Sequence, residues 1–277
     1  MRIKKLLLGL KNRLEYKSRK LENTHLCGLP LTVTPGTIRH QVDQDDAWFF
    51  YLAKHHEVVY DIGCNVGYTA LLAMIQNPNR RYLLVDPNPN ALNEAHFNLV
   101  NNQLGTQAMY SASFVSDSVD EAVKFYTLGS GAAGSMYPSH AQSAASLNSF
   151  TEVKTVTLDF LYKLYNLRPD LIKIDVEGAE TLVMNGARQV ANETQCAFFI
   201  EMHTVKDLGM EQAGKMILNW CSDMQYKAWY LKTGTELKSA DVIRDRGKCH
   251  LLLLPNKSGY PDYLKGVSQR APLPKTL

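Results

Sequence analysis

The sequence contains no C-x-x-C pair, although it has five cysteines, at positions 27, 64, 196, 221 and 249. Their odd number and scattered spacing argue against a disulfide framework and against a zinc site built from cysteines. Thiols of this kind are typical of a reducing compartment. We therefore expect a cytoplasmic protein.

Long apolar runs are also missing, since no segment approaches the ~20 apolar residues that a transmembrane helix needs. Three basic side chains at positions 2, 4 and 5 precede a short apolar run over residues 6–10, as at the start of a signal peptide. The run is too short, however, and residues 11–13 are polar where a cleavage site would need small residues. We therefore do not interpret the N-terminus as secretory.

A large excess of charge of one sign is also missing. The chain has 30 Lys and Arg residues and 27 Asp and Glu residues, which gives a net charge of +3. This excess is too weak to predict nucleic-acid binding. Hydrophobic residues make up 45% and charged residues 21% of the 277 positions, as in a soluble globular protein. The length allows one large α/β domain with extensions and does not require a second domain.

The stretch from residue 58 to residue 73, VVYDIGCNVGYTALLA, is the most informative part of the chain. Its β-branched start predicts a strand buried on both faces, and its apolar end predicts a helix. We expect the loop between them at the carboxyl edge of the sheet, where open α/β folds bind ligands. Gly63 and Gly67 would let a ligand lie against the backbone, and Asp61 would place a carboxylate there.

Two nucleotide-binding motifs do not match this loop. A nicotinamide-binding fingerprint would need glycine at positions 63, 65 and 68, but the chain has Asn65 and Tyr68. A Walker loop would need a Gly-Lys-Ser/Thr sequence, which does not follow here. The remaining pattern is D-x-G-x-N-x-G, for which a purely architectural glycine turn is the alternative interpretation.

A second buried strand is predicted over residues 81–86, and Asp86 ends it. An acid at the end of the neighbouring strand can accept hydrogen bonds from both hydroxyls of a ribose. An aspartate before a Pro-Asn turn, which here contains Asn88, is often only a helix cap, but the register favours the ribose interpretation. Ser113, in a third predicted strand, would then lie near an adenine ring.

The segment 170–180, DLIKIDVEGAE, predicts another strand that ends in a glycine turn. Strand alternation places Lys173 and Asp175 on one side, and charged residues inside an apolar strand are costly unless they are paired or used. A buried Lys-Asp pair is therefore the structural alternative to a functional site. Glu177 lies in the turn, and Glu180 opens a helix, where its charge suits the helix dipole.

Residues 197–203, AFFIEMH, predict a further buried strand whose tip carries Glu201 and His203. These two side chains are two positions apart and therefore lie on the same side of the strand. A lone histidine is more often structural. A histidine beside a glutamate at the carboxyl edge, however, indicates part of a site.

The motifs DIGCNVG, LLVDPNP, TVTLDFL, LIKIDVEGAE and FFIEMH, in this order, resemble the FkbM family of class I S-adenosylmethionine (SAM)-dependent methyltransferases. The resemblance covers about residues 45 to 205. It implies an α/β fold, with a Rossmann-like seven-stranded class I methyltransferase sheet and helices on both faces. It also implies SAM as the cofactor and O-methylation of a hydroxyl on a saccharide or a secondary metabolite.

By this resemblance, the glycine loop would hold the methionine end of SAM, and the next strands would hold the ribose and the adenine. The expected cofactor-binding residues are Asp61, Gly63, Cys64, Asn65, Gly67, Asp86, Asn88 and Ser113. Cys64 stands where the family often has alanine, which leaves the loop geometry intact because the backbone does the binding. The residues expected to be catalytic, near the transferred methyl group, are Asp175, Glu177, Glu201 and His203, with Lys173 beside them.

Two mechanisms remain open for the acceptor hydroxyl. His203 has the most suitable unperturbed pKa for a general base, and Asp175 or Glu201 could orient it or replace it. Alternatively, Asp175, Glu201 and His203 could hold a divalent ion such as Mg²⁺ or Mn²⁺ that acidifies the hydroxyl.

Two other classes of function also remain open. A non-catalytic SAM-fold protein could bind a partner or a membrane, although the intact acidic and glycine motifs argue against loss of catalysis. An RNA 2′-O-methyltransferase is suggested by Lys173 with Asp175, but the low net charge argues against it. We therefore expect a small-molecule or saccharide acceptor and no nucleic acid.

The chain is predicted to have three parts. Residues 1–35 would form a basic amphipathic helix, over residues 1–22, and a linker or short strand, over residues 27–35. Residues 36–256 would form the methyltransferase domain, and residues 257–277 a loosely ordered tail. The helix could make a peripheral membrane contact, or it could pack on the domain or on a second subunit as part of a homo-oligomer. Residues 129–149 would form a lid or a substrate loop.

Overall fold

The computed structural model describes residues 20–39, 41–128, 134–205 and 208–277. The strands are β1 (Glu22–Leu26), β2 (Leu29–Val33), β3 (Val58–Ile62), β4 (Arg81–Val85), β5 (Ala108–Ser111), β6 (Phe114–Val115), β7 (Ala122–Tyr126), β8 (Phe150–Val156), β9 (Leu171–Ile174), β10 (Ala197–His203), β11 (Tyr226–Tyr230), β12 (Thr235–Glu236) and β13 (Lys248–Pro255). The α-helices are α1 (Asp46–Lys54), α2 (Tyr68–Met74), α3 (Pro89–Asn101), α4 (Gln142–Ser146), α5 (Leu158–Tyr165), α6 (Glu180–Asn185), α7 (Arg188–Thr194) and α8 (Met210–Met224). Two 3-10 helices cover Ala240–Ile243 and Asp262–Leu264.

Within the described residues, the main sheet has eight strands in the order β12-β11-β13-β10-β9-β3-β4-β5. The strands from β10 to β5 pair in parallel, whereas β13, β11 and β12 pair antiparallel. The predicted seven-stranded sheet therefore has one additional strand, the two-residue β12 at its edge. The sheet is mixed because β13 runs antiparallel to both of its neighbours, β10 and β11.

Helices cover both faces of this sheet, as the sequence predicted. Along β3, the side chains of Tyr60 and Ile62 belong to a core that includes α5, α7 and α8. The intervening Val59 belongs to a second core, on the other face, that includes α1, α2 and α3. Because both faces are buried, β3 is apolar at nearly every position, as strands of parallel sheets are.

The segment before the main domain contains a β-hairpin, formed by β1 and β2, where a linker or a short strand was predicted. The amide of Thr32 donates to Oδ1 of Asn102, 2.8 Å away, and Nδ2 of Asn102 donates back to the carbonyl of Thr32, at 2.9 Å. These bonds fix the hairpin on the end of α3. Most of the basic helix predicted over residues 1–22, namely residues 1–19, lies outside the described residues.

The C-terminal residues, which were predicted to form a loosely ordered tail, contact the main domain at several points. The indole Nε1 of Trp48, in α1, donates to the carbonyl of Val267 at 2.8 Å. The amide of Arg270 donates to the carbonyl of Gln44 at 3.2 Å. Among the described residues, no helix is long and apolar enough to cross a membrane.

The topology brings the carboxyl ends of β3, β4, β9 and β10 to one edge of the sheet, together with the first residue of the antiparallel strand β13. A small sheet of β6, β8 and β7 borders this edge. Residues 134–149 of the predicted lid also lie here: Ser135 forms a bridge with Tyr126, and α4 follows. The first part of that loop, residues 129–133, lies outside the described residues.

Candidate active site

The glycine loop between β3 and α2 depends on its glycines for packing. Gly63 has φ of +83°, and a Cβ atom at this position would lie 1.7 Å from the carbonyl oxygen of Asp175. Gly67 also has φ of +83°, and its Cβ would lie 2.8 Å from Cβ of Ala95 in α3. Side chains other than hydrogen are therefore excluded by neighbouring residues as well as by backbone conformation.

Asp86 is held by the backbone of two neighbouring loops. Its Oδ2 accepts a hydrogen bond from the amide of Asn65 at 2.9 Å, and its Oδ1 accepts one from the amide of Asn88 at 2.8 Å. Burial raises the pKa of Asp86 to about 6, against the effect of these hydrogen bonds. Each carboxylate oxygen keeps a further lone pair, which suits a ligand with two hydroxyl groups.

A cavity of about 300 Å³ opens over this loop. The predicted cofactor-binding residues that line it are Gly63, Cys64, Asn65, Asp86, Asn88 and Ser113. The predicted catalytic residues that line it are Lys173, Asp175, Glu177 and Glu201. Its volume is at the lower end for small-molecule sites. The cavity therefore joins the expected cofactor residues to the expected catalytic residues.

Three further features of the cavity bear on a bound nucleoside. The Ser113 hydroxyl lies 3.0 Å from the Ser111 hydroxyl at the cavity wall. Oδ1 of Asn65 is buried and has no hydrogen-bond partner among the described residues. Burial raises the pKa of the Cys64 thiol well above its usual range, so this side chain stays neutral. The residues present thus fit SAM, with polar groups where a ribose and an amino-acid end need them.

Asp61 lies beneath the loop and is not among the described residues that line the cavity. Its side chain is fully buried, and Oδ2 accepts hydrogen bonds from Thr69 Oγ1 at 2.6 Å and from the Tyr82 hydroxyl at 2.9 Å. Its Oδ1 lies 3.4 Å from Nζ of Lys173. Asp61 therefore pairs with Lys173 beneath the loop. Its predicted contact with a cofactor stays a prediction.

Lys173 forms the buried ion pair that the sequence left as an alternative. Its Nζ lies 3.4 Å from Oδ1 of Asp61 and 3.4 Å from Oδ2 of Asp175. Burial lowers the pKa of Lys173, but the nearby carboxylates outweigh this effect and raise it above its usual value. The ammonium therefore remains charged and fixes the carboxylate of Asp175 at the cavity.

His203 is surrounded by carboxylates. Its Nδ1 lies 2.9 Å from Oε1 of Glu180, and its Nε2 lies 3.5 Å from Oε1 of Glu201 and 3.6 Å from Oε2 of Glu177. Burial lowers the pKa of His203, but hydrogen bonds to Glu180 and Glu201 outweigh it and raise the pKa to about 11. An imidazolium at neutral pH cannot accept a proton, which disfavours His203 as the base.

Glu180 is a member of the site that sequence reasoning assigned only to the helix dipole. Its side chain is 1% exposed, and Oε1 accepts a hydrogen bond from the amide of Gly178 at 2.9 Å as well as facing His203. Its position directly after the glycine turn was the one available signal. The partner on β10 could not be inferred from the local pattern.

Glu201 is already paired with a lysine. Its Oε1 forms an ion pair with Nζ of Lys248, and its Oε2 lies 3.6 Å from Nε2 of His250. Burial raises the pKa of Glu201, but His203 and His250 outweigh it and lower the pKa below its usual range. Lys248 enters the site because β13 pairs antiparallel with β10, which places it opposite His203. No motif in the sequence pointed to Lys248.

Asp175 and Glu177 remain as the carboxylates best suited to accept a proton. Burial raises the pKa of both, and for Asp175 the charge of Glu201 adds to this effect, while Lys173 and His203 act against it. Their side chains keep exposures of 20% and 29%, whereas that of Glu201 keeps 5%. A carboxylate with a raised pKa that reaches the cavity is a suitable general base.

The predicted metal ligands are only partly brought together. Among the described residues, Asp175, Glu177 and His203 form one group whose ligand atoms lie within 4.8 Å of one another. Glu201, which was predicted as a third ligand, belongs instead to a buried group with Asp45 and His250. Lysine ammonium groups already pair with Asp175 and Glu201, so a divalent ion would have to compete with them. A metal stays a prediction.

The rim of the cavity contacts the acid cluster, by which we mean Asp175, Glu177, Glu180 and Glu201. The hydroxyl of Ser135 donates to the carbonyl of Glu177 at 2.8 Å. Glu177 itself has φ of +51°, so this contact helps to hold a left-handed turn. The ring of His140 lies 6.1 Å from the ring of His203. Residues 134–149 therefore border the predicted catalytic residues directly.

Comparison with known proteins identifies one domain. The methyltransferase FkbM domain model matches residues 61–228. No curated protein gives a significant match.

Solved structures give distant matches. A methyltransferase FkbM from Methylobacillus flagellatus has 13% identity and a TM-score of 0.45; the match covers 79% of this chain and 45% of that protein. Cofactor-bound Rv0187 from MTB has 14% identity and a TM-score of 0.46, with 82% and 84% covered. P. horikoshii TYW2 in complex with MeSAdo has 10% identity and a TM-score of 0.45, with 85% and 70% covered. The chain thus spans less than half the length of the M. flagellatus protein.

Proposed function

Because the chain belongs to the FkbM methyltransferase domain family, we propose that it transfers a methyl group from SAM to a hydroxyl oxygen of a saccharide or a secondary metabolite. One observation carries this proposal. Asp175 and Glu177, whose pKa values are raised, line the same cavity as the glycine loop and Asp86. Family membership implies SAM, and the hydroxyl acceptor is the part that needs testing.

SAM supplies an electrophilic methyl group on a cationic sulfur. In the proposed complex, backbone groups of Gly63 and Asn65 bind the methionine end. The carboxylate of Asp86 accepts hydrogen bonds from the ribose hydroxyls, and Ser113 lies beside the adenine. Alignment of the reacting atoms is expected to supply about 7–11 kcal/mol of barrier lowering in the most favourable case.

The acceptor hydroxyl loses its proton to a carboxylate in this proposal. Asp175 is our first candidate because Lys173 fixes its position and because the pKa of Asp175 is raised. Glu177 is the second candidate, since it reaches the cavity from the adjacent turn. His203, which is held as a cation, positions Glu177 and Glu201 instead of accepting the proton.

The test is an assay with labelled SAM and a panel of saccharides and hydroxylated metabolites. A positioned base contributes ~10²- to 10⁴-fold to the rate, so Asp175→Asn should lower kcat by that factor while the Kd for SAM stays within about twofold. Glu152→Gln, on the exposed part of β8, is the matched control. Unchanged kcat in Asp175→Asn would show that another group accepts the proton.

A metal-assisted version of the reaction is tested separately. The purified protein is treated with a chelator, and Mg²⁺ or Mn²⁺ is then restored in the same assay. Loss of activity and its recovery would support a metal held by Asp175, Glu177 and His203, the set that the geometry favours. Unchanged activity would eliminate the metal-assisted version and leave only the carboxylate mechanism.

The role of residues 1–19 is a proposal of its own. A basic amphipathic helix there would attach the protein to an anionic membrane surface or to a second subunit. Removal of residues 1–19 should then change vesicle binding or the oligomeric state.

A further inference from the structure

A second cavity, of about 430 Å³, lies next to the active site. Lys248 lines both cavities, so its side chain forms part of the wall between them. His250, which contacts Glu201, also lines the second cavity. The second cavity is therefore within reach of a molecule whose hydroxyl group lies at the acid cluster.

The second cavity is strongly cationic. Its described lining includes Lys232, Arg246, Lys248 and Arg270, against the single acid Asp245. The chain as a whole has 30 basic and 27 acidic residues, so this ratio is a local enrichment. Lys248 pairs with Glu201, but the other three cations have no ion pair among the described residues. An anionic ligand would supply the missing charge.

The cations come from separate segments, each of which is hydrogen-bonded to the main domain. Arg246 precedes Gly247, whose carbonyl accepts a hydrogen bond from the amide of Thr204 at 2.9 Å. The amide of Arg270 donates to the carbonyl of Gln44 at 3.2 Å. These bonds hold the two arginines on the same body as the main sheet.

The buried part of the second cavity is aromatic. Trp48 and Tyr230 line it, with exposures of 1% and 4%. The Trp48 indole donates a hydrogen bond to the carbonyl of Val267. This bond holds the C-terminal segment against α1. The cavity is therefore a formed pocket with a rigid base and cationic walls.

We propose that this cationic cavity binds a phosphate group carried by the hydroxylated acceptor. The proposal rests on the proposed methyl transfer and names the acceptor class more closely. Arginine binds phosphate oxygens through two parallel N–H donors, and two arginines with a lysine suit a phosphate monoester. The carboxylates of the active site repel an anion, so the phosphate lies beyond Lys248 while the hydroxyl lies at Asp175.

The first experiment measures phosphate binding without any acceptor. Inorganic phosphate is titrated into the full chain at low ionic strength, and heat is recorded by calorimetry. The variant Arg246→Gln/Arg270→Gln should bind phosphate ~10- to 100-fold more weakly, since charge-assisted hydrogen bonds are lost. Arg81→Gln, which removes one arginine charge at the start of β4, on the opposite edge of the sheet, should bind as the parent does.

Both arginines are exposed, so the double variant should keep its fold, which circular dichroism and the Kd for SAM check. No heat from the parent with millimolar phosphate would overturn the proposal. Equal loss in Arg81→Gln would also overturn it, because the effect would then be one of net charge.

The second experiment compares a hexose with its 6-phosphate as methyl acceptors. We expect kcat/KM for the phosphate ester to fall ~10- to 100-fold in the double variant, while kcat/KM for the neutral sugar is unchanged. Free phosphate should compete with the ester. Activation of neutral-sugar methylation by free phosphate would overturn the proposal, because the cavity would then be an effector site. Methylation of neither sugar would count against the proposed saccharide acceptor, and the phosphate titration would still decide the cavity's ligand.

Discussion

Replacing Glu180 by glutamine tests whether carboxylates keep His203 protonated. Glutamine preserves an oxygen that accepts from the amide of Gly178, at 2.9 Å in the parent, but it removes the negative charge beside Nδ1 of His203. We expect the pKa of His203, about 11 in the parent, to fall. Glu177 and Glu201 remain in place, so the pKa should stay above the ordinary value for histidine.

The size of this change follows from the lost interaction. A hydrogen bond to a charged group contributes about 1.5–3 kcal/mol, and one pH unit of pKa corresponds to about 1.4 kcal/mol. The pKa of His203 should therefore fall by about one to two pH units in Glu180→Gln. Titration of the histidine ring by NMR measures it directly, with the exposed Glu152→Gln as the control.

Stability should change with pH in the corresponding direction. A histidine whose pKa is raised on folding stabilises the protein fully below its unfolded pKa of 6.5, and this contribution is lost as pH rises toward about 11. In Glu180→Gln the loss should be complete at a lower pH. Urea unfolding at about pH 7 and about pH 10 measures this. A parent His203 that titrates near 6.5 would refute the reasoning.

Three other predictions concern the cavity. Lys173→Met should lower the free energy of unfolding by about 3–5 kcal/mol, because it leaves the buried Asp61 and the partly buried Asp175 without their cation. Urea unfolding tests this, and adding Asp61→Asn should recover part of the loss. The affinity for SAM should decrease as pH falls through about 6, where Asp86 becomes protonated; calorimetry should find no such pH dependence in Asp86→Asn. Gly63→Ala should abolish SAM binding, because its Cβ would lie 1.7 Å from a carbonyl oxygen; binding with parental affinity would contradict the loop geometry.

The strands around the site were predictable because each is a nearly continuous apolar run that ends in a turn. β3, β4, β9 and β10 are buried on both faces, so their patterns required no knowledge of partners. The positions of Asp86 and Asp175 at strand ends followed from the same patterns. Local hydrophobicity was thus enough to place the predicted cofactor-binding and catalytic residues at one edge of the sheet.

Features that depend on distant partners were not predictable. The hairpin of β1 and β2 is fixed by Asn102, which lies 70 residues beyond Thr32 in the sequence. Lys248 reaches the acid cluster through antiparallel pairing with β10, and Glu180 acquires its role from His203 on another strand. The charge of His203 could not be inferred either, because it results from three carboxylates supplied by two separate segments.

The contact between Gly63 and Asp175 has a consequence for redesign of the protein. The amide of Asp175 donates to the carbonyl of Ile62 at 2.9 Å, and the absent side chain of Gly63 lets the two turns touch. The glycine loop and the turn that follows Asp175 are therefore packed directly against each other. New acceptors are accordingly best sought by exchanging rim segments such as 134–149, with the spacing of donor and base left as it is.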